Sequence, residues 1–165
     1  MGRMSRGEGV MPEMLAEHTM DVRVEFHHFC VQEADDDLVP VPYPDGTAPD
    51  GRFLTAHECR VDVSSAGHTH TATLTAQIWD ERPAEDTGIA WEEQGETEIC
   101  SGSGTLSFVV VGGPQPETLE LGVPGRRWGL RICSAGRRQV ARLAPEGVPH
   151  GVEQYLLQFW PAGDG

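Results

Sequence analysis

The sequence predicts an all-β fold, an antiparallel β sandwich or jelly roll of eight or nine short strands. Apolar residues recur at period two in one segment after another, the spacing at which side chains alternate between the faces of a strand. Gly, Pro and Ser breaks separate these segments at intervals of about 10 to 15 residues, as in sandwiches. No segment of useful length carries the helical period.

Residues 1–20 hold Gly, Met and charge without periodicity and are expected to be disordered, since MPEMLAEH is too short to stand alone as a helix. A single sandwich domain is expected over 21–162, with 163–165 as a tail. Val22, Val24, Phe26, His28 and Cys30 share one parity and predict the opening strand. Residues 33–52 contain Pro40, Pro42, Pro44 and Pro49 and two PDG turn signals, so they read as a long loop. Strands follow near 53–63 and 68–79, joined through Ser64-Ser65-Ala66-Gly67, which reads as a hairpin turn. In the second, Ala72, Leu74, Ala76 and Ile78 face one way and Thr71, Thr73, Thr75 and Gln77 the other, as in a sheet with one wet face. Further strands are predicted near 96–100, 104–111, 117–123, 127–133, 137–143 and 152–160. The last, VEQYLLQFWP, is apolar on both parities and reads as a central strand covered on both sides.

A chain of 165 residues fits one domain and buries roughly 70% of its unfolded surface, enough for a core without staples. Cys30, Cys59, Cys100 and Cys133 lie far apart without a CxxC pair, and no apolar run resembles a secretory segment or a membrane span. Reduced thiols and a cytoplasmic location are the expectation. All 12 basic residues are arginine, the codon bias of a high-GC genome such as an actinobacterium. The net charge of −14 repels phosphate backbones and anionic lipids. It argues against general nucleic-acid or membrane binding and favours a basic protein partner; nothing in it sets the oligomeric state.

The charge is segregated. Residues 80–98 hold Asp80, Glu81, Glu85, Asp86, Glu92, Glu93, Glu96 and Glu98 against Arg82, whereas 124–142 hold Arg126, Arg127, Arg131, Arg137, Arg138 and Arg142 and no acid. The two stretches read as solvated strand faces and loops lying near each other. The sharper reading is a binding surface, with Asp80, Glu81, Asp86, Glu92 and Glu93 meeting a basic partner and Trp79 and Trp91 as aromatic anchors.

Catalytic chemistry finds little support. His68 and His70 stand at i and i+2, which on a strand share a face and could hold a divalent metal. A hairpin turn at 64–67 would pair 61 with 70 and 57 with 74, leaving His57 several rows away and Cys59 nearer. The cupin pattern fails, because Leu74 and Thr75 stand where its acid should fall. Cys100-Ser101-Gly102-Ser103-Gly104 does not match the G-x-S-x-G elbow and reads as a turn. GVPGRRWG lacks the glycine spacing of a phosphate loop. No catalytic residue and no cofactor is expected; a metal-dependent hydrolase or small-molecule binder at His68 and His70 is the alternative.

VEFHHFCV, LTAQIWD with CSGSGTLSF, VPGRRWGLRI and VEQYLLQFWPA together resemble a group of uncharacterised actinobacterial β-domain proteins of similar size, over about residues 21–162. The order of aromatic opening strand, Pro-Gly turn and Arg-rich penultimate strand is similar to the ComJ competence nuclease-inhibitor family, small acidic β proteins that bind a nuclease. The resemblance implies a non-enzymatic β domain that binds a basic protein, as an inhibitor or immunity-type partner of a nuclease or toxin. It transfers no individual residue.

Overall fold

A computed structural model describes residues 11–40 and 52–163. Residues 1–10 of the expected disordered segment, 41–51 of the expected loop and 164–165 of the tail lie outside the described residues. Strands β1 (Met14–Val24), β2 (His28–Glu33), β3 (Leu54–His57), β4 (Arg60–Ser64) and β5 (His70–Trp79) come first, then β6 (Glu93–Ser101), β7 (Thr105–Val110) and β8 (Gly113–Glu120). β9 (Arg126–Ala135), helix α1 (Arg137–Leu143) and β10 (His150–Pro161) complete the chain.

Two five-stranded sheets form a sandwich, a first in the order β1-β5-β10-β9-β6 and a second in the order β3-β4-β2-β7-β8. All pairings are antiparallel except β10 with β5, which is parallel. Their inner faces interdigitate, with Leu74, Trp128, Leu130, Tyr155, Leu157 and Phe159 of one meeting Phe29, Val31, Val61, Leu106 and Phe108 of the other. Burial of the alternate apolar positions is the main driving force for this closure. No described helix is long and apolar enough to cross a membrane.

The sandwich stands as expected, with ten strands among the described residues instead of eight or nine. Residues 14–20, within the segment expected to be disordered, belong to β1. That strand pairs with β5 from Met14 opposite Trp79 to Val24 opposite His70, but lies at a sheet edge with most of its first half exposed. Val22 and Val24 alternate at its end, but its first half buries too little to be marked by the same pattern. The parity of the opening strand breaks at Phe26 and His27, both at positive φ, in a two-residue turn closed by reciprocal 3.1 Å bonds between the Glu25 and His28 backbones. The turn passes the chain from the first sheet to the second and leaves Phe26 exposed.

The expected strand 53–63 is two strands folded at Glu58-Cys59. Residues 64–67 are not a hairpin turn, because β4 and β5 belong to different sheets and the segment crosses between them. The strand expected at 137–143 is helix α1. Its residues, RRQVARL, are mostly strong helix formers and only Val140 is buried, so alternation carries no weight there. Gly136 makes the sharp entry with a φ of 75°, where a Cβ would come within 2.0 Å of the Val152 carbonyl oxygen. β10 is central as predicted, with Tyr155, Leu157 and Phe159 inward and Leu156, Gln158 and Trp160 buried on its outer side.

Candidate protein-binding face

The outer side of β10 is covered by the acidic segment that links β5 to β6. Arg131, 0% exposed on the outer side of β9, fastens this strap. Its Nη1 donates to the Pro83 and Ala84 carbonyls (3.1 and 3.2 Å) and to Gln158 Oε1 (3.0 Å), and its Nε donates to Glu96 Oε2 (3.1 Å). Gln158 donates to Gln77, which also accepts from Trp79 Nε1, so one hydrogen-bonded row crosses the outer faces of three strands. The Arg131 and Arg82 guanidiniums lie 5.6 and 5.8 Å from the Trp160 ring centroid. Trp160 fits because Gly129 has no side chain, since a Cβ there would lie 2.3 Å from the indole.

The seven residues read from sequence as a binding surface all flank this strap but do different work. Trp79 is half-buried at the end of β5. Asp80 accepts from the Glu13 amide (2.7 Å) and ties the strap to the start of β1. Asp86 accepts from Trp91 Nε1 (3.0 Å) and the Gly88 amide, and Asp86 and Trp91 border a shallow groove with Thr73, Thr75 and Leu156. Glu92 accepts the Arg137 and Arg138 amides (2.8 and 3.1 Å), the first free N–H groups of α1. Glu81, half-buried, and Glu93, exposed, point their charge at no described partner.

The acidic and basic stretches meet, as the first reading of their charge anticipates. β6 and β9 are paired with Glu96 opposite Arg131 and Cys100 opposite Arg127. Burial pushes the Glu96 carboxyl up, but Arg82 and Arg131 outweigh it and hold it below the ordinary carboxylate value. Beside them lies an open cavity of about 980 Å³, bounded by Glu96, Glu98, Arg127, Trp160 and, from the second sheet, His57 and Cys59.

The structure does not bring His68 and His70 together. β5 begins only at His70, whose Nε2 lies inside the sandwich, 2.8 Å from Ser65 Oγ and 3.5 Å from Glu153 Oε1. His68 is exposed, hydrogen-bonded to Thr69 and edge-on to Phe26 and His27. Among the described residues no group of three or more His, Cys, Asp or Glu is arranged to hold a metal ion.

Two buried carboxylates escaped the reading of the sequence. Glu153, 0% exposed, accepts from Ser65 Oγ, Tyr155 OH and the Ala66 amide, and so binds the crossing segment 65–69 to β10. Glu33, also 0% exposed, accepts from Ser101 Oγ (2.6 Å), the Ser103 amide (2.9 Å) and Ser103 Oγ (2.6 Å), and so joins the two sheets. The serines of CSGSG are thus ligands of a structural carboxylate. A third acid, Asp62, lies 2.7 Å from His28 Nε2 and 3.1 Å from His57 Nε2, and also accepts from Arg60.

Comparison of the sequence with protein-family models and with curated proteins finds no match to either. Two solved structures share the fold. One is ComJ of Bacillus subtilis, described as an inhibitor of the DNA-degrading activity of NucA, at a TM-score of 0.60 and 11% identity over 93% of this chain and 100% of that one. The other is described as crocagin biosynthetic gene J, with TM-score 0.60, 12% identity, 90% of this chain and 100% of that one.

Proposed function

We propose that this chain is a non-enzymatic binding protein that engages a basic protein, a nuclease or toxin, through the outer face of its first sheet and acts as an inhibitor or immunity-type partner. The observation that carries the reading is the end-to-end correspondence of its fold with that of a nuclease inhibitor. Charge supports it. Arg60, Arg82, Arg127, Arg131 and Arg137 are paired with Asp62, Glu96, Glu98 and Glu153 within the chain, while Glu81, Glu85, Glu92 and Glu93 remain at the surface of the strap and the start of β6. Trp79 and Trp91, half-buried there, offer apolar area beside the acids.

The inhibitor part is tested by titrating purified protein into lysate of its own host and following degradation of linear DNA. Saturable suppression by the native chain, weakened at least tenfold in Glu81→Arg/Glu93→Arg, is expected. Degradation that proceeds unchanged at saturating protein overturns inhibition of a nuclease.

A further inference from the structure

Cys59 and Cys100 come from different sheets and are 41 residues apart in sequence, yet their Sγ atoms lie 2.7 Å from each other. That is inside the roughly 3.5 Å at which non-bonded heavy atoms rest. Cys59 forms the tip of the β3–β4 turn and holds a φ of 64°, an uncommon conformation for a residue other than glycine. Cys100 lies on β6, an edge strand of the first sheet, on the outer side with Glu96 and Glu98. Both sulfurs border the open cavity described above, Cys59 nearly buried and Cys100 half-buried.

We propose that Cys59 and Cys100 form a reversible disulfide that clasps the β3–β4 turn of the second sheet to the edge of the first. The reaction is thiol–disulfide exchange with a small-molecule disulfide. The more accessible Cys100, as thiolate, attacks one sulfur of the reagent and displaces its other half as a thiolate, which takes up the proton Cys100 lost. Cys59 then gives up its proton, attacks Cys100 Sγ in the mixed disulfide and expels the second half as a thiol. Two protein thiols become one disulfide, and one reagent disulfide becomes two thiols.

The surroundings set the order of the two steps. Burial pushes Cys59 up to about 12, with the hydrogen bond and charge of Cys100 next in weight and Glu58 and Glu33 adding to it. Capping Cys100 as a mixed disulfide removes its share of that rise but not the share of burial, so the attack of Cys59 is the slow step and its 2.7 Å approach to Cys100 Sγ is what favours it. Cys30 and Cys133 are each pushed up to about 11, burial being the largest cause, and line no part of the cavity. The proposal is independent of what the outer face binds.

The test incubates the full native chain with oxidised glutathione, blocks remaining thiols under denaturing conditions, and maps the peptides by mass spectrometry. One Cys59–Cys100 cross-link is expected, reversed by dithiothreitol, with Cys30 and Cys133 alkylated and the urea midpoint raised. Cys59→Ser is expected to retain a glutathione adduct on Cys100. Four alkylatable thiols after oxidation, a glutathione adduct without the cross-link in the native chain, or a cross-link joining other cysteines would each overturn it.

Discussion

At the scale of single residues, the buried titratable groups make the fold sensitive to acid. Burial pushes the Glu33 carboxyl up, but the hydroxyls and amides of Ser101, Ser103 and Asp35 outweigh it and hold the group below its ordinary 4.5. The stability it contributes is therefore complete above that value and lost as pH falls through the lower folded value. His70 is lowered from 6.5, mainly by burial and partly opposed by Glu153, so the unfolded chain takes up its proton first. Stability from His70 is lost as pH falls below about 6.5, its unfolded value. Urea midpoints should decline in two stages on acidification. Glu33→Gln should begin about 2 kcal/mol less stable at neutral pH and show a shallower lower stage, the remainder of which belongs to Glu96 and Asp62. A profile matching the native one would show that Glu33 is not held as described. Gly129→Ala places a methyl against Trp160 and should cost about 2 kcal/mol, with altered tryptophan fluorescence. The buried carboxylates Glu33 and Glu153 were illegible in the sequence, because an acid among 26 gives no sign of which strand partner will bury it.

At the scale of elements, period two found most strands because each presents one apolar side to the core. It located β5, β7 and β9 well and missed the first half of β1, which buries little. Alternation reports which residues face inward, not which sheet a strand joins, so 64–67 read as a hairpin although its flanking strands part company there. Among the sheet edges, β8 carries Pro114 and Pro116 and β3 has four residues, both poor templates for another strand. β1 and β6 are longer, proline-free edges, and on β6 Glu96 and Glu98 are already paired with arginines while Glu93 is exposed. The strap depends on Arg131. Arg131→Met would leave the Pro83 and Ala84 carbonyls and Gln158 without their donor, and should cost about 3 kcal/mol. It should also open the strap to a glutamate-specific protease at Glu85 and Glu92 while circular dichroism keeps its β signature. Equal resistance in both proteins would show that the strap holds without Arg131.

At the scale of the whole molecule, the segregated charge is resolved by pairing β6 with β9, which spends several arginines internally in a chain of net charge −14. The seven residues chosen for charge and aromatic character do share one region, since a contiguous segment must. The sequence could not show that Asp80, Asp86 and Glu92 also hold the strap in place, because their partners Glu13, Trp91 and Arg137 are set by the fold. Glu81 and Glu93 are the pair whose charge can be reversed with least cost to structure. Attraction through such surface acids is screened over about 10 Å at 0.1 M salt, so partner binding should weaken as salt rises. The direct measurement is the set of host proteins retained by the native chain and by Glu81→Arg/Glu93→Arg at low and moderate salt, quantified by mass spectrometry. One basic protein held in stoichiometric amount by the native chain, released by salt and absent from the variant, is the predicted result; identical retention by both would contradict binding through this face.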